Sequence, residues 1–111
     1  VSAELIDAVI PATYPRPRNW YGSWNPWGEF YEALSEGPVT LGQLGSAQLL
    51  SHHTPQYEWS EDNDVAYFVF SLGERSFRRG GLVDSYDGVG WHGPTEEVEP
   101  VQVTRTEWRA I

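Results

Sequence analysis

Gly88-Val89-Gly90-Trp91-His92-Gly93 satisfies the G-x-G-x-x-G spacing of a dinucleotide-binding turn. That chemistry needs a strand before the glycines and a helix after them, so that backbone N–H groups face a pyrophosphate. Here a tight-turn signal, Asp87-Gly88, precedes, and Pro94, Glu96, Glu97 and Pro100 follow. A β-hairpin is therefore favoured over a cofactor site. His52, His53 and His92 are the residues that could ligate a metal together with carboxylates. Adjacent histidines on a strand point to opposite faces, which keeps His52 and His53 from one ion, and packing or surface roles are favoured. With Asp+Glu 16, carboxylate pairs of glycosidase type are expected by chance alone. There is no G-x-S-x-G, no Cys nucleophile and no phosphate loop. The chain is read as a non-enzyme with no cofactor and no metal.

Two groups are candidates for partner binding. Arg75, Arg78 and Arg79 form a basic cluster that could hold a phosphate or a partner carboxylate bidentately. The alternative, which is favoured, has them balancing neighbouring acids, stacking on rings and guarding a sheet edge. Trp20, Tyr21, Trp24, Trp27, Phe30 and Tyr31 fill one short segment with aromatic rings. Packing a helix onto a sheet accounts for some of them. The rest, Trp20, Tyr21 and Trp24 above all, are candidates for an interface, where Trp and Tyr dominate hot spots.

The elements that must position these residues follow from pattern. Asp64–Gly93 contains short β-prone runs separated by Gly73-Glu74, Gly80-Gly81 and Asp87-Gly88, the spacing of an antiparallel meander. In its first run Ala66, Phe68, Phe70 and Leu72 share one face and Val65, Tyr67 and Val69 the other; both are apolar, which predicts a central strand covered on both sides. A two-residue loop at Gly73-Glu74 sets Phe70 opposite Phe77. Ser2–Ile10 is a helix capped by Ser2 and stopped by Pro11, with an extended Pro-rich connector over Pro11–Arg18. Asn25-Pro26 starts a second helix, whose Trp27, Phe30, Tyr31 and Leu34 form one apolar face, and Gly37-Pro38 ends it. Thr40 and Gln43 resemble a capping box, but Gly42 and Gly45 disfavour a helix, and a strand over Ala47–His52 is preferred. Thr54–Asp64 reads as an acidic loop, Glu96, Glu97 and Glu99 as an acidic turn, and Val101–Trp108 as a half-buried final strand. The expected fold is α+β: a small antiparallel meander of about four or five strands with one or two short helices packed on it.

Length 111 fits a single domain, with residues 1–38 helical and aromatic and 39–111 forming the sheet. Such a chain buries roughly two-thirds of its unfolded surface, enough for a core without disulfides. Cys 0 fits a reducing compartment. No apolar run reaches the roughly 20 residues of a membrane span, and no signal-peptide pattern is seen, so a soluble cytoplasmic protein is expected. A net charge of −9 argues against a general nucleic-acid or anionic-membrane binder. The basic residues are all Arg, Met is absent and the chain begins with Val1, which fits a GC-rich bacterial or phage genome with a GTG start.

The C-terminal half resembles a family of small, uncharacterised bacteriophage and prophage proteins. The matching residues are the strand from Tyr67 to Phe70, then Arg75-Ser76-Phe77-Arg78, Gly81, Ser85-Tyr86-Asp87-Gly88, Trp91-His92-Gly93, and Glu97 to Val101 running into Thr104 and Trp108. The pattern spans roughly residues 47–108 and leaves out Trp20–Tyr31. The resemblance implies phage origin and a compact α+β domain, and brings no activity. The expected function is that of a small acidic accessory protein that binds a host or phage protein in the host cytoplasm, as an inhibitor of a host process or defence system. The alternatives are an acidic mimic of nucleic acid and a minor virion component. Neither the partner nor the oligomeric state is written in the sequence.

Overall fold

Ser2 opens the first helix as its N-cap, its hydroxyl accepting from the Leu5 N–H at 3.2 Å. The computed structural model describes residues 2–54, 65–84, 88–101 and 106–111. Helix α1 spans Ala3–Thr13 and buries Ile6 and Ile10. Pro11 lies inside it and does not stop it. The bond that Pro11 cannot make is to the carbonyl of exposed Asp7, where water can serve instead, and the helix runs only two residues further. The Tyr14 N–H then donates to the Ile10 carbonyl and the Thr13 hydroxyl to that of Val9, which closes the last turn.

Helix α2, Pro26–Glu36, starts at the Asn25–Pro26 signal: the Asn25 side chain accepts from the Gly28 N–H and Pro26 occupies the first turn. Its apolar face is the one read from spacing, with Trp27, Phe30 and Leu34 buried and Tyr31 half-buried. Gly37 ends the helix, its N–H on the Leu34 carbonyl. Val39–Thr40 forms a short strand, β1, and Gly42–Leu44 a single 3₁₀ turn without a side-chain cap, so the Thr40–Gln43 capping box does not form. Strand β2, Ser46–His53, covers the strand expected over Ala47–His52 and pairs with the central strand, with an irregularity at Leu50.

Strands β3, Val65–Leu72, and β4, Arg75–Asp84, make the hairpin. Gly73 supplies the left-handed residue (φ 64°) of its tight turn. Phe70 stands opposite Phe77, as the two-residue loop requires. Gly80-Gly81 is no turn: β4 runs through both glycines as one long strand. A Cβ on Gly81 would lie 2.7 Å from the Gly90 oxygen and 2.9 Å from the Trp91 ring, so this position is kept bare by close approach.

Strand β5, Gly88–Gly90, pairs with β4 through Leu82↔Gly90 and Asp84↔Gly88. The residues that link them lie outside the described ones. Strand β6, Thr95–Val98, then returns to the same edge of β4 lower down, Arg79 opposite Thr95 and Ser76 opposite Val98. Between β5 and β6 the chain loops out over Trp91–Pro94, pinned to β4 by Gly93 N–H donating to Gly80 O and Gly80 N–H to Pro94 O. Glu96 and Glu97 therefore sit in a strand and not in a turn, opposite Arg78 and Phe77, and each also pairs with an arginine of β4: Arg78–Glu96 at 3.3 Å and Arg75–Glu97 at 3.7 Å.

The described residues thus form an α+β fold, two helices on an antiparallel six-stranded sheet ordered β1-β2-β3-β4-β5, with β6 also on β4. Ile6 and Ile10, the α2 rings, Ala66, Phe68, Phe70, Leu72, Phe77 and Trp91 make one core. β3 is central in order, but among the described residues it is covered on one side only. Its other face keeps Val65 60% exposed, with Tyr67, Val69 and Ser71 half-buried. Val and Tyr suit a pleated strand and meet cross-strand neighbours there, such as the His53 ring beside Tyr67, without a second layer among the described residues. The Thr54–Asp64 acidic loop, apart from Thr54, and residues 102–105 of the expected final strand lie outside the described residues. Thr106–Trp108 carry no strand and are exposed. No helix among the described residues is long and apolar enough to cross a membrane.

Candidate partner-binding groove

The connector from Tyr14 to Asn25 has no regular structure, so its shape depends on side chains that tie it to itself. Arg16 grips the Trp20 carbonyl with Nε (3.3 Å) and Nη2 (2.7 Å). The Trp20 indole N–H donates to the Ser23 carbonyl and the Trp24 indole N–H to the Tyr14 carbonyl. The two rings meet edge to face, with centroids 5.2 Å apart. Burial pushes the Tyr14 phenol above its ordinary pKa, and the nearby charge of Glu29 pushes in the same direction.

This corner of tryptophans is one lip of a groove of ≈ 1470 Å³. The outer face of α2 continues that wall with Gly28, Glu29, Tyr31 and Glu32. The facing wall is the Gly80–Val83 part of β4, with Val89 and Gly90 of β5 and the Trp91–Pro94 loop. Trp91 anchors the base: it is buried, 5.2 Å from the Tyr31 ring and 4.9 Å, edge to face, from Phe68. Gly28 of α2 lies against the Trp91 ring, where an added Cβ would make ordinary contact at 3.6 Å.

Of the residues singled out by sequence, Trp20 and Trp24 line the groove, Trp20 remaining 45% exposed. Tyr21 is 94% exposed beside it and is not part of the lining. The arginines do not form a single patch. Arg78 lies on the open face of the sheet, its guanidinium 6.0 Å from the Tyr67 ring centroid and ion-paired to Glu96. Arg75 and Arg79 take the alternate positions of β4, Arg75 at its start with Glu97.

Arg79 is a tie between elements. Its Nε and Nη2 donate to the Trp91 carbonyl at 3.0 and 2.7 Å, and Nη1 to the Thr95 hydroxyl at 3.0 Å. Nη1 also lies 3.3 Å from Asp7 of α1, and the Thr95 hydroxyl donates to that same carboxylate at 2.6 Å. The guanidinium sits 4.3 Å over the Trp27 ring of α2. Burial pulls its pKa below the ordinary range, and Asp7 opposes that shift.

His52 and His53 part to opposite faces, His52 against Tyr31 and His53 against Tyr67, while His92 lines the groove. Among the described residues no group of three His, Cys, Asp or Glu could hold a metal ion. Gly88–Gly93 lies in β5 and the loop after it, and the next element is a strand, so no helix N-terminus faces these glycines. Sequence reasoning missed Glu29, Glu32 and Trp91 as groove residues and Asp7 and Thr95 as partners of Arg79. A usable signal existed for the first pair, which stand three apart on a helix whose opposite stripe is aromatic. None existed for Asp7, which meets Thr95 across most of the chain. Compared with protein-family models, curated proteins and solved structures, the chain matches none.

Proposed function

We propose that this chain is a small binding protein that engages another protein through the groove between the Trp20–Trp24 corner and the Trp91 loop. The observation that carries this reading is that large aromatic rings line a concave surface after the core has already been filled by Trp27, Phe30, Phe68, Phe70 and Phe77. Concave, largely apolar surfaces with a few polar groups at the rim are the usual form of a recognition site, and Trp is the residue most enriched at interface hot spots. The resemblance of residues 47–108 to phage and prophage proteins supports an accessory role: a partner of host or phage origin met in the host cytoplasm, and inhibition of a host process as the outcome.

The test is binding kinetics on the protein retained by the immobilised chain from host lysate. Trp20→Ala and Trp24→Ala are expected to raise the dissociation rate, each costing about 2 kcal/mol of affinity. Rising salt is expected to slow association only modestly, because screening acts on steering and not on ring burial. Displacement of the partner by duplex DNA, with Trp substitutions silent, would replace this reading with nucleic-acid mimicry.

A further inference from the structure

The groove's polar groups are strongly one-sided. Both tryptophans of the lip have spent their indole N–H groups on backbone carbonyls of the chain itself. The guanidiniums next to the groove are spent likewise, Arg16 on the Trp20 carbonyl and Arg79 on that of Trp91. Among the described lining residues, Glu29 and Glu32 carry negative charge and His92 is the one side chain that can carry positive charge. Neither glutamate is ion-paired among the described residues, whereas Glu96, Glu97 and Asp7 each hold an arginine. What faces a ligand is therefore π surface and free carboxylate, with hydrogen-bond donation left to neutral groups such as Asn25 and Ser23. Apart from His92, an acceptor-rich anionic partner finds no charged donor among the described lining residues. A cation finds both of its attractors: ring faces with their negative quadrupole, and carboxylates one helical turn apart.

Building on the reading of the groove as a protein-binding site, we propose that its occupant is a basic segment of the partner, an Arg or Lys side chain inserted between the Trp20–Trp24 corner and the Glu29–Glu32 edge of α2. The aliphatic stem packs on the rings while the charged head reaches the carboxylates. The chain's net charge of −9 steers such a segment in but does not specify where it lands.

The probe is an acetylated, amidated Gly-Arg-Gly-Arg-Gly peptide, titrated into the full chain while the indole N–H signals of Trp20 and Trp24 are followed by NMR. These signals are expected to move with saturation. E29Q/E32Q is expected to weaken binding about tenfold, and E4Q/E36Q, which removes the same charge from exposed sites outside the groove lining, by no more than about twofold. Equal weakening by both double variants, or movement of neither indole signal, would overturn the proposal by showing general attraction to an acidic protein. Preferential binding of Gly-Asp-Gly-Asp-Gly or of a neutral oligosaccharide would overturn it as well. The underlying reading fails separately: if W20A/W24A releases a captured protein partner but E29Q/E32Q does not, the groove stands as the interface and the cationic occupant falls; if neither variant releases it, both fall.

Discussion

Arg79 touches α1, α2, the Trp91 loop and β6 through one planar group, and its side chain is only 13% exposed. A guanidinium does this because its donors are fixed in a fork that can hold a carbonyl with two of them and a hydroxyl and a carboxylate with another. Arg75 and Arg78 pair with Glu97 and Glu96 near the surface, where an ion pair contributes little. Arg79→Ala is therefore expected to cost about 2–3 kcal/mol, leaving the Trp91 carbonyl and the Asp7 carboxylate without their charged donor. Arg75→Ala and Arg78→Ala should each cost less than about 1 kcal/mol. Urea denaturation of the three variants compares them directly, and Arg79→Lys should recover little, since an ammonium cannot reproduce the fork. Equal losses for all three would show that Arg79 is an ordinary surface charge.

At the scale of elements, β4 carries the arrangement. Its first half holds β6 and its second half β5, and the change of partner falls at Gly80 and Gly81, where the Trp91 loop leaves the sheet to fill the base of the groove. The two glycines are not equivalent. A Cβ on Gly80 would make ordinary contact with Pro94 at 3.6 Å, while one on Gly81 would run into the Gly90 backbone and the Trp91 ring. Gly81→Ala is expected to cost about 1–3 kcal/mol as an overpacked site and to shift Trp91 emission to the red as the ring is pushed towards water. Gly80→Ala should stay within about 1 kcal/mol of the parent and leave emission unchanged. Paired thermal melts and fluorescence spectra check both, and the opposite ranking would rule out this account of the Gly-Gly pair.

For the molecule as a whole, both helices lie on one face of the sheet, and among the described residues a single aromatic core carries the stability. Phe70 is at its centre: fully buried, with ring contacts to Trp27, Phe30, Phe68 and Phe77. Phe70→Ala removes a side chain whose neighbours come from both α2 and the hairpin and cannot easily close the gap. A loss of about 3–5 kcal/mol is expected, a large share of the stability of a domain this size. Circular dichroism melts test it. An unchanged melting temperature would contradict the single-core arrangement.

Local signals written within a few residues were legible in the sequence. Asn25-Pro26 set the start of α2, the spacing of Trp27, Phe30 and Leu34 its buried face, and Gly73-Glu74 the register that joins Phe70 to Phe77. Each depends on contacts a turn or a hairpin apart, where residue type and period leave few alternatives. The failures were places where distant chain overrode a local rule. Gly80-Gly81 looks like a turn and is a crossing point, because Trp91 and Gly90 must pass close by. Glu96 and Glu97 look like a turn and form β6, because the edge of β4 pairs with them, Arg78 opposite Glu96 and Phe77 opposite Glu97. The face of Val65, Tyr67 and Val69 looks buried, yet no second layer covers it among the described residues, since propensity for a pleat and burial under a layer favour the same residue types. The groove belongs to this second kind of information. Trp20, Glu29 and Trp91 share a surface only after β4 has drawn the Trp91 loop in against α2, and no spacing along the chain records that meeting.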